Sequence, residues 1–412
     1  MKHPSRNRAV AYVVSTVAFL VVMAASGAPS VLLAAYQRQW HFPDAALTVA
    51  FAIYALALVV ALLFCGSLSD HIGRRPVAVG SLLLTALSMV LFLCAGDVTV
   101  LILARGVQGV ATGLATVAFS AWITELASPR RRKQAETLVA VSTAGGLGVG
   151  VVVAGAVSQF AAHPEALIFG TSLVAVLVAA ALLLIAPESV APRGGIAASL
   201  LPRLTLERHV AKRMARLAPA VVGIWMSAGL ILGLGASLSR AALHLGDGFL
   251  AAVVVATQPL TATVCSLLLA PRLRPRPLLA LGSSAVLVGV AAEGCAFVTG
   301  VAVLEIVGAF ITGLGFGAVL TAVLVDMVPR VDVNDRGAFF AVFYLVGYLP
   351  YGCSAIAAGL LSDTIGLARA AAVYAAAIIV VILLALVLNP MKSSRTRADA
   401  QASRAHRGIE ST

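Results

Sequence analysis

Two ionisable residues of opposite sign stand inside long apolar stretches at matching places: Arg105 in one, and Glu305, 200 positions later, in another, with Glu293 shortly before it. Burying a charge in hydrocarbon is costly, so such residues are functional candidates by default. A carboxylate there can take up and release a proton, and a guanidinium can hold an anionic group. Arg105 lies about 10 Å into its apolar run at 1.5 Å per helical residue. If the two runs are related by an internal repeat, Arg105 and Glu305 are expected to face one cavity. The alternative for each acid and for the arginine is snorkelling to the nearer interface. A second cluster is Gly66-Ser67-Leu68-Ser69-Asp70-His71-Ile72-Gly73-Arg74-Arg75, a short polar loop between two apolar runs. Asp70 would gain by facing the positive N-terminus of another helix, and one begins at Arg336-Gly337. Arg74 and Arg75 are placed to pair with Glu125, or else act only as topological anchors. A third feature is the aromatic stripe Phe340, Tyr344, Tyr348 and Tyr351, which suits either packing or stacking against a flat apolar molecule. Trp225-Met226 and Gln258-Pro259 are weaker features of the same type.

Enzyme chemistry has no foothold. There is no His-Glu-x-x-His zinc motif and no Gly-x-Ser-x-Gly nucleophile turn. The glycine-rich stretches are flanked by hydrophobic helix, whereas a phosphate loop needs a strand before it and a helix after it. Five cysteines without metal-ligand spacing read as buried small hydrophobes. No catalytic residue, cofactor or metal is therefore expected.

The elements that must hold these residues follow from composition. Of 412 residues, 60% are hydrophobic and 11% charged, against about 25% charged in an ordinary soluble domain. Twelve apolar runs, near 10–35, 45–65, 77–96, 98–127, 136–161, 165–186, 216–238, 248–270, 277–298, 300–328, 337–361 and 366–389, are long enough to cross a bilayer. This predicts an all-α integral membrane protein with no separate catalytic domain. The net charge of +12 forms no amphipathic basic face, so it points to the membrane surface and away from nucleic acid. All of the 29 Lys and Arg except Arg38, Arg105, Arg240 and Arg369 fall in segments that share one side. The positive-inside rule then puts both termini in the cytoplasm, with the first run retained as an orientation signal.

The longest polar interruption, 187–215, divides the chain into six spans (1–186) and six spans (216–389), with a basic tail over 390–412. Thr112-Gly113-Leu114 matches Thr312-Gly313-Leu314, and Pro129-Arg130 matches Pro329-Arg330, at the same offset of 200. Two matches at one offset, on runs already paired by position, predict two pseudo-symmetric six-helix bundles related about the membrane normal.

The loop after the second run resembles the G-x-L-x-D-R-x-G-R-R signature of the major facilitator superfamily, with His71 where an Arg is usual. Arg105, Gln108, Gly109 and Gly113 resemble that superfamily's R-x-x-Q-G-x-x-x-G motif. Gly146, Gly150, Val151, Ala154 and Gly155 are similar to G-x-x-x-G-P-x-x-G-G, the mark of its antiporters, with Val151 for Pro and Ala154 for Gly; plain glycine packing is the other reading. Glu125 with Pro129 to Lys133, and Pro187-Glu188-Ser189, also look like the family, and the resemblance spans about 10 to 390. It implies that Gly66, Asp70, Gly73, Arg74, Arg75 and Glu125 form a cytoplasmic latch, and that Arg105 and Gln108 serve the central cavity; Glu305 and Glu293 are the candidates for coupling because the spans of the first half hold no acid away from their cytoplasmic ends. It further implies a monomeric secondary transporter working by alternating access, close to the drug:proton antiporter branch. The partners implied are a small amphipathic substrate, protons and the lipid bilayer of the cell's inner membrane. Proton-coupled import of a small organic anion, with Arg105 holding its carboxylate, is the alternative.

Overall fold

The computed structural model describes residues 3–190, 205–245, 248–269, 272–332 and 335–390. Twelve of its helices are long and apolar enough to cross a membrane: Arg8–Trp40, Asp44–Cys65, Arg74–Leu93, Val98–Leu126, Gln134–Phe160 and Pro164–Leu184, then Arg208–Ala241, Phe249–Leu268, Pro275–Thr299, Ala302–Arg330, Arg336–Ile365 and Leu367–Leu388. They are spans 1 to 12 below. No strand occurs among the described residues. A helix satisfies its backbone hydrogen bonds within its own segment, as lipid requires of a span that has no strand partners. Branched aliphatics such as Leu103, Val174, Val303 and Val380 stay on the outside, where lipid is their solvent.

The two halves repeat one packing plan. Span 4 lies against spans 1, 2 and 3, and span 10 against spans 7, 8 and 9. Across the seam, span 2 packs on span 11 and span 5 on span 8, which are the same pairing exchanged by a two-fold axis. The protein is thus an all-α, twelve-span membrane protein of two six-helix bundles.

Several boundaries differ from the hydropathy reading. Span 7 starts at Arg208, so the basic residues Arg208, Lys212 and Arg213, expected in the linker, belong to a helix. The reason is a partner: Arg213 Nε donates to Asp326 Oδ2 at 2.7 Å, and Arg330 reaches the other oxygen of Asp326 at 2.9 Å. Span 1 continues to Trp40 through a break at Ala28, before Pro29. Span 3 begins at Arg74, because Leu68–Ile72 forms its own short helix. Span 4 is fixed at its start by Asp97, whose carboxylate accepts from the backbone of Val100 and Thr99; these bonds hold its pKa below the usual carboxylate range. The cysteines also depart from expectation. Only Cys265 is buried, while Cys94, Cys295 and Cys353 lie on the outside of the bundle. The expected basic tail beyond Pro390 and the linker portion 191–204 lie outside the described residues.

Candidate functional site

At the end of the molecule that carries residues 66–73, Arg74 is the hub. Its side chain is nearly buried and donates from Nη2 to Asp70 Oδ1 at 2.5 Å and to Glu125 Oε1 at 2.9 Å, and from Nη1 to Ser69 Oγ at 2.6 Å. Ser189 Oγ donates to the second oxygen of Glu125 at 2.6 Å. Arg75 takes a different part, donating to the backbone carbonyls of Leu184 and Ala186 at the end of span 6.

Glu188 was legible only as part of a family-like tripeptide, and its work is structural. Its carboxylate accepts from the backbone N–H groups of Arg74 and Arg75 at 2.9 and 3.0 Å, so it caps span 3 from the far side of span 6. Gly73 makes room for it: its φ is +113°, and a Cβ there would stand 2.6 Å from Glu188 Oε2. Glu188→Ala should cost about 1 kcal/mol, the usual worth of an N-cap, read as a lower thermal midpoint of purified protein. An unchanged midpoint would mean that water caps span 3 equally well.

Arg105 is fully buried in the first half, with its guanidinium 4.3 Å from the Tyr54 ring centroid. Nη1 donates to Gln108 Oε1 at 2.6 Å and, more weakly, to the Ser26 carbonyl at 3.4 Å; Gln108 Nε2 in turn donates to the Ala25 carbonyl at 3.0 Å. Thr112, one turn on, shares a 2.9 Å hydrogen bond with Ser26 Oγ. Arg105 therefore ties spans 1, 2 and 4 together. Arg105→Lys keeps the charge yet loses the planar fork and the ring contact. It should lower the thermal midpoint as Arg105→Ala does, and a wild-type midpoint in the Lys variant would reduce Arg105 to a point charge.

Along the seam between halves runs the aromatic stripe of span 11. Tyr344 and Tyr348 pack against Tyr54, Leu58, Leu62 and Val117 of the first half. Trp225 joins from span 7, 4.2 Å from Tyr348 and 5.7 Å from Phe316 between ring centroids. Its ring lies over Gly347, where a Cβ would fall 2.6 Å from Trp225 Cδ1. Gln258 Nε2 donates to Ser227 Oγ at 2.9 Å, while Gln258 Oε1 and Trp225 Nε1 have no hydrogen-bond partner. Half-buried aromatic faces beside two unused polar atoms make a surface suited to a flat amphipathic molecule.

The opposite end of the seam is shut. Asp44 accepts from Gln37 Nε2 at 2.6 Å and, across the halves, from Ser362 Oγ at 2.9 Å. Phe51 packs on Tyr351 with centroids 4.8 Å apart and ring planes tilted by 38°, and Gln159 Oε1 accepts from the Phe249 N–H at the start of span 8 at 2.9 Å. At the end of residues 66–73, the hydrogen bonds and ion pairs among the described residues stay within one half: Arg74 with Asp70 and Glu125, Arg213 and Arg330 with Asp326. In this conformation the Asp70 carboxylate is held by Arg74 of its own half.

Glu305 does not share a cavity with Arg105 here. Both are buried within their own halves, and Glu305 lies between spans 9 and 10 beside Glu293. The reason is the tight turn after span 9, with Gly300 at φ +74°, which folds span 10 back on span 9. In span 5, Gly146 and Gly150 abut span 1 at Met23 and Ala24, and Gly155 abuts Ala252 of span 8. The proline missing from that motif is replaced by a π turn over Val141–Gly145, which supplies the helix irregularity by another route.

Twelve spans, two bundles exchanged by a two-fold axis and one closed end define a membrane protein with the transporter architecture of alternating halves. The sequence pattern of the Major Facilitator Superfamily matches residues 14–292. The chain belongs to that superfamily. It is 32% identical over 122 residues to the multidrug resistance protein MdtL of Shewanella sp. (strain ANA-3), a stretch covering 29% of this chain and 31% of that one. With the MdtL of Shewanella oneidensis it shares 33% over 98 residues, covering 23% and 24%. The chain thus matches only about a third or less of the length of these curated relatives. A crystal structure of a bacterial homolog to the human lysosomal transporter Spinster, in an inward-facing and unoccupied conformation, superposes with a TM-score of 0.70 at 15% identity, covering 94% of this chain and 96% of that one. That likeness concerns the fold.

Proposed function

We propose that this protein is a secondary active transporter that expels a small amphipathic, drug-like molecule in exchange for protons by alternating access. The observation that carries the reading is the seam: half-buried Tyr344, Tyr348 and Trp225 stand beside the unpartnered Trp225 Nε1 and Gln258 Oε1, and contacts between the halves seal one end of it. The partial likeness to multidrug resistance proteins supports the substrate class. The basic-residue bias supports an orientation with both termini in the cytoplasm of a cell whose inner membrane holds the protein, so the sealed end of the seam faces outward. Asp70, Arg74 and Glu125 are then the cytoplasmic latch, which bridges to the start of span 11 when the protein opens outward. Residues 1–186 and 216–389 act as the two moving bodies, joined by 187–215, within a monomer. Because Arg105 is already engaged by Gln108, Ser26 and Tyr54, its charge serves packing of the first half more than capture of an organic anion.

A thermal-shift screen of the purified protein at two pH values tests this reading. Ethidium and other lipophilic cations or neutral aromatics should stabilise it, as any ligand selective for the folded form must. Stabilisation by benzoate-like acids alone would replace efflux with anion uptake.

A further inference from the structure

The two halves solve the same polar triplet in different ways. In span 4, Arg105, Gln108 and Thr112 satisfy one another and span 1. At the same offset in span 10 stand Glu305, Gly308 and Thr312. With no side chain at Gly308, span 9 comes close enough that a Cβ there would lie 2.9 Å from Glu293 Cγ and 3.0 Å from the Glu293 backbone nitrogen. Glu293 thereby occupies the place that Gln108 holds in the first half. Yet neither oxygen of Glu305 has a hydrogen-bond partner, the only group within reach of the Glu293 carboxyl among the described residues besides Glu305 is the Thr312 hydroxyl, and all three residues are fully buried. Two carboxyl groups so poorly partnered in one buried place are far too costly to be idle.

Among the described residues no cation is paired with either acid. Span 8 turns Gln258 and Thr261 toward span 10 at Gly313, and span 12 turns Ala375 toward span 9 at Gly294. Arg240, near the end of span 7, is engaged with the Ala34 carbonyl of the other half. Tyr374 of span 12 is bonded to Ser354 and to the Met226 carbonyl. Two adjacent buried carboxyls without a cation are most economically held by a proton between them, one group donating its O–H to the oxygen of the other.

We propose that Glu293, Glu305 and Thr312 form a proton-binding site inside the second half, away from the aromatic seam, which cycles between one and two protons during transport. With two protons the site is neutral; release of one leaves a single negative charge shared by the pair and steadied by the Thr312 hydroxyl. The proton and the exported molecule then never compete for one surface, and their coupling passes through the packing of spans 9 and 10. This coupling role rests on the proton exchange proposed above.

Dicyclohexylcarbodiimide, an apolar reagent that modifies protonated carboxyls, tests the site in the wild-type protein. Peptide mass spectrometry should find Glu293 or Glu305 modified, with labelling that slows as pH rises and is indifferent to sodium. Absence of label from both acids overturns the proposal, and protection by sodium without dependence on pH makes it a sodium site. In proteoliposomes, E293Q and E305Q should lose pH-gradient-driven ethidium transport while retaining ethidium counterflow. Full gradient-driven transport in both variants overturns the coupling role. Labelled acids in a wild-type protein that no pH gradient drives would uphold the site and sink the proposed proton exchange instead.

Discussion

Reversing the charge of Arg74 is expected to abolish transport and destabilise the protein together. Arg74→Glu would place a fourth carboxylate among Asp70, Glu125 and Glu188, where a nearly buried guanidinium now joins two of them at 2.5 and 2.9 Å. The carboxylates left behind are one-third to one-half exposed and screened by water, so losing the cation and its hydrogen bonds should cost about 1–2 kcal/mol. The added acid brings like-charge repulsion on top. Arg74→Lys, which keeps the charge without the fork, should retain partial transport. Both are read from counterflow in proteoliposomes and thermal midpoints in detergent. If the Glu variant transports normally, the cluster is only a topological anchor and the latch is elsewhere.

A bulky side chain at Gly359 should arrest the cycle with equal force. Gly359 lies where span 11 meets span 2, and a Cβ there would stand 2.8 Å from Thr48 Cγ2 and 2.9 Å from Thr48 Cβ. Close-packed interfaces cannot absorb an indole in such a space. Gly359→Trp should therefore wedge open the end closed by Asp44 and Ser362 and hold the protein outward-open. Single cysteines at Ala55 and Tyr351, beside that seal, should become more reactive to a thiol reagent added from outside in the Trp background, while transport falls to background. Unchanged reactivity would mean that the seal lies nearer the middle of the bundle.

How far these sites were legible in the sequence depends on whether their contacts are local or set by chain reversal. Twelve apolar runs and a repeat at one offset suffice for the two-bundle fold, because a continuous apolar run of this length satisfies its backbone in lipid as a helix. The pairing of Arg74 with Glu125 followed from two adjacent loops with opposite charges at the same membrane face. Glu188 as the cap of span 3 did not, since it requires the end of span 6 to return against residue 74, although the unusual Gly73 was a signal. The neighbourhood of Glu305 was misjudged for a related reason. The offset of 200 relates equivalent positions in two bundles and does not make them neighbours. The turn at Gly300 decides instead, because an antiparallel hairpin about residue 300 sets Glu293 beside Gly308, one turn from Glu305. Unpartnered atoms such as Gln258 Oε1 become visible only in the packed structure.

Gradient-driven transport by the purified protein tests the central claim most directly. Proteoliposomes with an acidic lumen, given ethidium outside, should accumulate the dye through molecules whose basic face points outward, and should stop when an ionophore collapses the gradient. Proteoliposomes with an alkaline lumen should take up no more benzoate than protein-free liposomes, which the neutral acid enters by diffusion. Dye that never accumulates in the acidic lumen, with benzoate drawn into the alkaline one faster than into protein-free liposomes, would contradict proton-coupled efflux and establish uptake of an organic anion.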